Sequence, residues 1–341
     1  MTLELGLDTF GDVNFGPKGE KHSQRAVLCN VVEQGILADQ VGIDFFGLGE
    51  HHRDDFAISS PEVVLATIAA RTARIRLGTA VTVLSSDDPI RVFQRFSTLN
   101  ALCGDRAEVI LGRGSFTESF PLFGFDLRDY ETLFEEKLDL FANLLTGQPV
   151  TWSGSTRRPL NSQQVYPPLG EAGLRAWIGV GGSPESVVRA VRYDMPMMLA
   201  IIGGDPARFR PFVDLYLDAY KQIGGTPQPL GVHSPGHVGD TDAQARDEFW
   251  PYYKALHDRL ARERGWGPIS RDAFENEVDH GALFVGSPET VARKIAKTAK
   301  TLGLSRFEMK YASGPMPHEM LMNSIRLYGT QVIPQVRQIL G

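Results

Sequence analysis

The chain has 341 residues, with 35 Lys plus Arg against 41 Asp plus Glu and a net charge of −6 at neutral pH. Hydrophobic residues make up 42% and charged ones 22%, enough apolar side chain for a large core, which excludes wholesale disorder, while the acidic balance argues against binding to nucleic acid. Cys29 and Cys103 fall in helical patterns, excluding a disulfide framework and a four-ligand zinc site, and with neither a leader pattern nor an apolar run of roughly 18 residues a cytoplasmic protein without membrane insertion is expected.

In chain order, short runs rich in Val, Ile, Leu and Phe predict strands at residues 3–7, 45–48, 75–84, 107–111, 176–180, 197–202, 230–233 and 306–311. Apolar spacing of three to four residues predicts helices between and after them, at 23–40, 61–72, 89–102, 130–145, 184–193, 206–223, 243–264, 288–302 and 318–340. Eight strands alternating with helices favour an α/β fold, a (β/α)8 TIM barrel, over an open doubly wound sheet. Residues 1–341 read as a single barrel domain with two insertions, about 146–175 and 236–287, expected beside the face where the strands end and able to act as lids. The plainer reading is that they cover the outside or mediate dimer contacts.

Active sites of such barrels sit at the carboxyl ends of the strands, so the residues that follow each run carry the chemistry. These are Asp8, Glu50-His51-His52, residues 82–86, Gly112-Arg113-Gly114, Gly181-Gly182-Ser183, and His233 with His237. Adjacent histidines on an extended chain point in opposite directions, so His51 and His52 are not expected to share a metal ion. One of them is a candidate general acid or base, with Glu50 orienting it or touching ligand. The alternative is a pair of satisfied histidines in a polar loop.

Arg113 between two glycines offers a planar fork suited to phosphate, the alternative being a structural turn with Arg113 paired to a neighbouring carboxylate. Gly181-Gly182-Ser183-Pro184-Glu185-Ser186 reads as a tight turn and a capped helix start, which is an anion site. The pattern returns with one substitution after its first glycine, as Gly286-Ser287-Pro288-Glu289-Thr290, and capping alone explains both copies. The first follows a barrel strand and carries an extra glycine, and is preferred as the anion site. Trp250, Tyr252 and Tyr253 are expected to serve packing.

The runs Leu48-Gly49-Glu50-His51-His52-Arg53 and Leu77-Gly78-Thr79-Ala80-Val81-Thr82-Val83-Leu84, followed by Gly112-Arg113-Gly114 and Leu122-Phe123-Gly124-Phe125-Asp126-Leu127, resemble the bacterial luciferase-like monooxygenase family in order. Gly181-Gly182-Ser183, Met195-Pro196-Met197, Gly239-Asp240-Thr241-Asp242-Ala243 and Gly286-Ser287-Pro288-Glu289 extend the likeness over nearly the whole chain. The resemblance implies a barrel that takes reduced FMN from a separate flavin reductase and uses O2 to oxidise a small organic substrate. It also implies a homodimer paired through helices 61–72 and 89–102. His51 matches the family's catalytic histidine, and Ala80-Val81 its non-proline cis peptide behind the flavin ring. Arg113, Ser183 and Ser186 match the phosphate-binding positions, and Glu50, Thr79, Gly181 and Gly182 are expected to complete the cofactor site, with no metal.

The chain also departs from the luciferase pattern. The reactive cysteine of luciferase is Gly112 here, and a second phosphate-side arginine is Glu131, with Arg128 the nearest possible substitute. Light emission from a long-chain aldehyde is therefore not implied. No Gly-x-Gly-x-x-Gly sits on a strand-helix turn, so no dinucleotide-fold NAD(P)H site is expected. Competing readings are a deazaflavin-dependent dehydrogenase on the same barrel, a flavin-binding protein without turnover and, from residue chemistry alone, a metal-dependent hydrolase.

Overall fold

The computed structural model describes residues 2–15, 20–114, 116–265 and 267–341. Its barrel strands are β1 (Glu4–Thr9), β2 (Phe45–Leu48), β3 (Arg76–Thr79), β4 (Glu108–Gly112), β5 (Arg175–Val180), β6 (Met197–Ala200), β7 (Leu230–Val238) and β8 (Arg306–Lys310). Neighbours pair in parallel in the order β3–β2–β1–β8–β7–β6–β5–β4. The circle closes between β3 and β4 through a Leu77–Ala107 bridge and through Thr82–Val83, which resumes the third strand and pairs with Leu111 and Gly112. The fold is the (β/α)8 barrel.

Strands buried on both faces read as continuous apolar runs, and β2 and β4 are buried at every position. Outward residues such as Phe46, Leu48, Val109 and Ile178 pack under the helices, whereas Phe45, Ile110, Trp177 and Met198 form a separate cluster inside the barrel. Below that cluster, at the amino ends of the strands, lies a layer of charge. Arg306 is fully buried, bonds Glu108 at 2.8 and 3.0 Å, and lies over the rings of Phe45 and Trp177. Above the cluster the lining turns to glycine: a Cβ at Gly47 would meet Ala80, and one at Gly112 or Gly179 would meet Val81. Charge thus lies at the bottom, rings in the middle, and at the top glycines against which Ala80 and Val81 pack.

Helix starts are marked by a capping side chain followed by proline. Asp88 caps Pro89–Leu102, Ser183 caps Pro184–Arg192 and Ser287 caps Pro288–Leu302. The expected last helix is instead His318–Leu327, a π turn over Tyr328–Val332, and Ile333–Leu340. The π turn brings Gly329 close against Val41, where a Cβ would be 2.3 Å from a side-chain carbon. The strand expected to end at residue 233 continues to Val238, because Gly236, His237 and Val238 pair with a short strand, Phe284–Gly286, that the sequence reading missed.

The two inserted stretches do different things. Residues 146–175 hold a hairpin, Val150–Trp152 with Leu160–Gln163, and lie along the outer flank of two helices. Trp152 bonds Asp139 at 2.8 Å, Gln94 reaches the Tyr166 carbonyl at 3.0 Å, and Asn100 reaches that of Gly173 at 3.0 Å. Residues 236–287 carry the long helix Asp242–Arg264, whose far end arrives at the loop after β2. There Glu263 pairs with Arg53 at 2.7 Å, and Arg259 pairs with Asp54 at 2.6 Å and Asp55 at 3.1 Å. This helix spans from the end of β7 to the end of β2, over the mouth.

Candidate active site

At the end of β2 the chain places Glu50, His51 and His52 in succession. His51 is buried in an aromatic box, with ring centroids 4.6 Å from Phe10, 4.6 Å from Phe56 and 5.1 Å from Phe116. Its Nδ1 stands 3.7 Å from Glu118 Oε1, just beyond hydrogen-bond distance. Burial raises the pKa of Glu118, but the His51 imidazole and the backbone N–H of His52 outweigh it and hold the carboxyl below its usual range. Glu50 turns to the other histidine, its Oε1 lying 2.9 Å from His52 Nε2. The carboxylate partner of His51 is thus Glu118, not Glu50. Sequence alone had no signal for it, since the two residues meet only through the fold.

The other Glu50 oxygen accepts the Val83 N–H at 3.0 Å, and the Glu50 N–H reaches the Val81 carbonyl at 3.2 Å. These bonds flank the Ala80–Val81 peptide, which is cis. Thr79 fixes the same turn from behind: its hydroxyl donates to the Ile110 carbonyl at 3.3 Å and accepts from Thr82 at 3.0 Å. Ala80 and Val81 stay half-buried and pack directly over Gly47, Gly112 and Gly179.

On the β4 and β5 side, three side chains converge on one hydroxyl. Ser186 Oγ lies 2.9 Å from Ser183 Oγ, 3.4 Å from Arg113 Nη2 and 3.3 Å from Arg189 Nη1. Ser183 accepts the Ser186 N–H as cap, Gly182 takes φ +103°, and a Cβ at Gly181 would have nothing within 4 Å. Arg113 pairs with a neighbouring carboxylate, Glu131, through Nη1, while its Nη2 faces Ser186. Arg189 is buried, bonds Glu135 through Nε and lies 3.6 Å from Glu131. Arg128 is no substitute for the missing arginine: it is exposed and paired with Asp126 at 2.6 Å. Arg189, one turn inside the capped helix, reaches Ser186 instead, and its signal was the three-residue spacing from Ser186.

The second copy of the cap is already occupied. Asp242 accepts the Ser287 N–H at 2.7 Å and the Thr290 hydroxyl at 2.9 Å. Burial raises the pKa of Asp242, and those bonds more than reverse it. Only the first copy keeps its donors for a ligand. His237 is buried, bonded to Glu248 at 2.9 Å and stacked on Phe249, so it anchors the long helix. Trp250 and Tyr253 pack with Phe274, as expected of that aromatic cluster.

The profile of one family, described as luciferase-like monooxygenase, matches residues 13–306. This chain belongs to the luciferase-like monooxygenase family. It is 42% identical over 278 residues to a 4-hydroxyprotoasukamycin monooxygenase of Streptomyces nodosus subsp. asukaensis, covering 76% of this chain and 74% of that one. It is 36% identical over 351 residues to a limonene 1,2-monooxygenase of Rhodococcus erythropolis, covering 98% and 89%. Among solved structures, the FMN-bound oxygenating component of 3,6-diketocamphane monooxygenase from Pseudomonas putida superposes with a TM-score of 0.78 at 18% identity, covering 98% of this chain and 99% of that one. An F420-dependent secondary alcohol dehydrogenase superposes with a TM-score of 0.76 at 16% identity, covering 98% and 99%. This luciferase-like monooxygenase is therefore an enzyme, an oxidoreductase of the monooxygenase class. Among its described residues no helix is long and apolar enough to cross a membrane.

Proposed function

We propose that this enzyme is the oxygenating half of a two-component system, taking reduced FMN from a separate flavin reductase and using O2 to oxidise a small organic substrate. The observation that carries the reading is the cradle of Arg113, Arg189, Ser183 and Ser186 at the ends of β4 and β5, around the rim from the half-buried Ala80–Val81 turn and His51. The residues present fit a flavin mononucleotide. Two guanidinium groups, two hydroxyls and a capped helix start suit a phosphate, and the open space at Gly181 admits a ligand backbone. Ala80 and Val81 offer an apolar surface for a ring, with Glu50 and Thr79 holding that surface from behind.

A bound reduced flavin supplies the electrons that activate oxygen. The chain's own part is to bind, orient and keep water out. Arg113 and the serines hold the phosphate end, while Phe10, Phe56 and Phe116 dry the space around His51. His51, with Nδ1 toward Glu118, holds or moves a proton at Nε2. The helix Asp242–Arg264 covers the mouth through its pairs with Arg53, Asp54 and Asp55. The same reading makes the enzyme a homodimer. Helices Pro61–Ala69 and Pro89–Leu102 leave Val63 and Leu102 exposed beside a groove of about 560 Å³ between them, a surface a second copy would cover.

Titration of the purified protein with reduced FMN, oxidised FMN, riboflavin and a deazaflavin coenzyme tests the assignment. Tighter binding of reduced FMN than of riboflavin is expected, with Arg113→Ala weakening FMN by about tenfold or more and leaving riboflavin nearly unaltered. Preference for the deazaflavin would move the enzyme to hydride transfer without oxygen. Equal loss of both flavins in Arg113→Ala would make that arginine structural.

A further inference from the structure

The activity proposed above leaves one pair of titratable groups in the mouth without a task. Asp8 on β1 and His233 on β7 flank β8 from either side and meet inside the barrel, with His233 Nδ1 2.8 Å from Asp8 Oδ2. Asp8 is fully buried and its other oxygen has no partner. The imidazole is 11% exposed, and among the described residues its Nε2 is neither bonded nor sealed in. A carboxylate only accepts, so Nδ1 carries the hydrogen, and the neutral ring presents a lone pair at Nε2. A buried carboxylate behind an imidazole fixes the ring's orientation and tautomer.

The ring that covers this imidazole is aromatic. The Phe10 ring stacks on His233 with centroids 6.3 Å apart and meets His51 edge-on at 4.6 Å, so two histidines face each other across one aromatic ring. Phe10 is seated there because residue 49 is glycine, whose Cβ would fall 2.2 Å from the ring. Two charged groups on β8 neighbour the pair. Lys310 is held by Asp12 at 3.2 Å and by the face of Phe10. Glu308 stands in register with His233, with one oxygen 3.4 Å from Arg306 and the other without a partner among the described residues. Glu118 stands beyond His51. Nε2 of His233 is left as an acceptor beside the face of Phe10.

We propose that His233, held by Asp8, takes the proton of a hydroxyl on the substrate, and that the substrate class is an apolar compound carrying an ionisable hydroxyl, a phenol or an enol. The inference rests on the monooxygenase reading and deepens it. The O–H bond breaks, an N–H bond forms at Nε2, and the electron pair stays on the oxygen. The imidazolium so formed is held against the Asp8 carboxylate, and the phenolate or enolate is richer in electrons at carbon than its parent. The same proton returns to the product oxygen. His233 thus prepares the substrate from the wall opposite His51.

The test uses 4-nitrophenol, whose ionised form absorbs at longer wavelength, and 4-nitroanisole, the same ring without the O–H. Below the free phenol's ionisation range, the wild-type protein should take up 4-nitrophenol with the phenolate spectrum and bind it about tenfold or more tightly than the ether. His233→Gln should lose both the phenolate band and the preference. Asp8→Asn, nearly isosteric, should keep some binding of the phenol but in its neutral form. Reduced FMN titrated into the same three proteins reports on folding and on the monooxygenase reading separately. Loss of FMN binding by the wild type would remove that reading while the probe result stood on its own. Equal affinity for phenol and ether, a phenolate band that survives in both variants, or no uptake of either probe would overturn the proposal.

Discussion

Replacing Glu131 with glutamine should tighten FMN binding about fivefold and leave riboflavin unaffected. Glu131 is paired with Arg113, stands 3.6 Å from Arg189 and has a side chain 62% exposed. A phosphate dianion held by Ser183, Ser186 and Arg113 would lie about one guanidinium away from this carboxylate, about 6 Å. At an effective dielectric of about 60 for so exposed a group, the repulsion is about 2 kcal/mol. Salt at physiological strength removes roughly half, leaving about 1 kcal/mol, or about fivefold in the dissociation constant. Flavin fluorescence titrations with FMN and riboflavin, at low and high salt, measure this directly, and the gain should shrink as salt rises. Weaker FMN binding in the variant, with riboflavin unchanged, would mean that Glu131 serves to aim Arg113 and that the electrostatic argument is wrong.

His51→Ala should leave reduced-flavin binding within a few-fold and lower turnover by about two orders of magnitude or more; unchanged turnover removes His51 from the mechanism. In the barrel floor, burial raises the pKa of Glu108, but Arg306, Arg76 and Arg175 outweigh it and bring the carboxyl down from 4.5 to about 2, so its stabilisation is full above 4.5 and lost as pH falls through about 2. Burial, aided by the Asp8 and Glu108 charges, pushes Glu308 well above its usual range despite Arg306, so its contribution is full below 4.5 and lost as pH rises through the raised value. Glu108→Gln should therefore cost about 3–5 kcal/mol at neutral pH. Glu308→Gln should melt near the wild type at about pH 4 and gain on it toward about pH 9, and thermal melts showing the reverse trend would refute the assignment. Val63→Glu with Leu102→Glu should convert the proposed dimer to a monomer of 37.6 kDa by light scattering, and a monomeric wild type would end that proposal.

The barrel was legible because strands buried on both faces are unbroken apolar runs and because Ser-Pro and Asp-Pro pairs announce helix starts. The ends of those strands then pointed to the candidate site. What stayed hidden depends on closure. In Arg306-Phe307-Glu308-Met309-Lys310 charge alternates with apolar residues, the mark of a half-solvated strand, yet in a closed barrel the charged face turns inward and is buried. The hairpin at 150–163 has polar, exposed positions and leaned on helix side chains that no local pattern reveals. Glu118 likewise acquired its place beside His51 only through folding.

Of the two helix starts that share a Gly-Ser-Pro-Glu pattern, the first has Arg113 and Arg189 beside it and the second has Asp242. A carboxylate tethered at such a terminus is an intramolecular competitor whose effective concentration lies in the millimolar range or above. Free phosphate at cellular levels meets that competitor at Ser287 and none on the N–H groups at Ser183. If the proposed phosphate site holds, an aspartate tethered at Ser183 as Asp242 is at Ser287 would be expected to compete with the phosphate there.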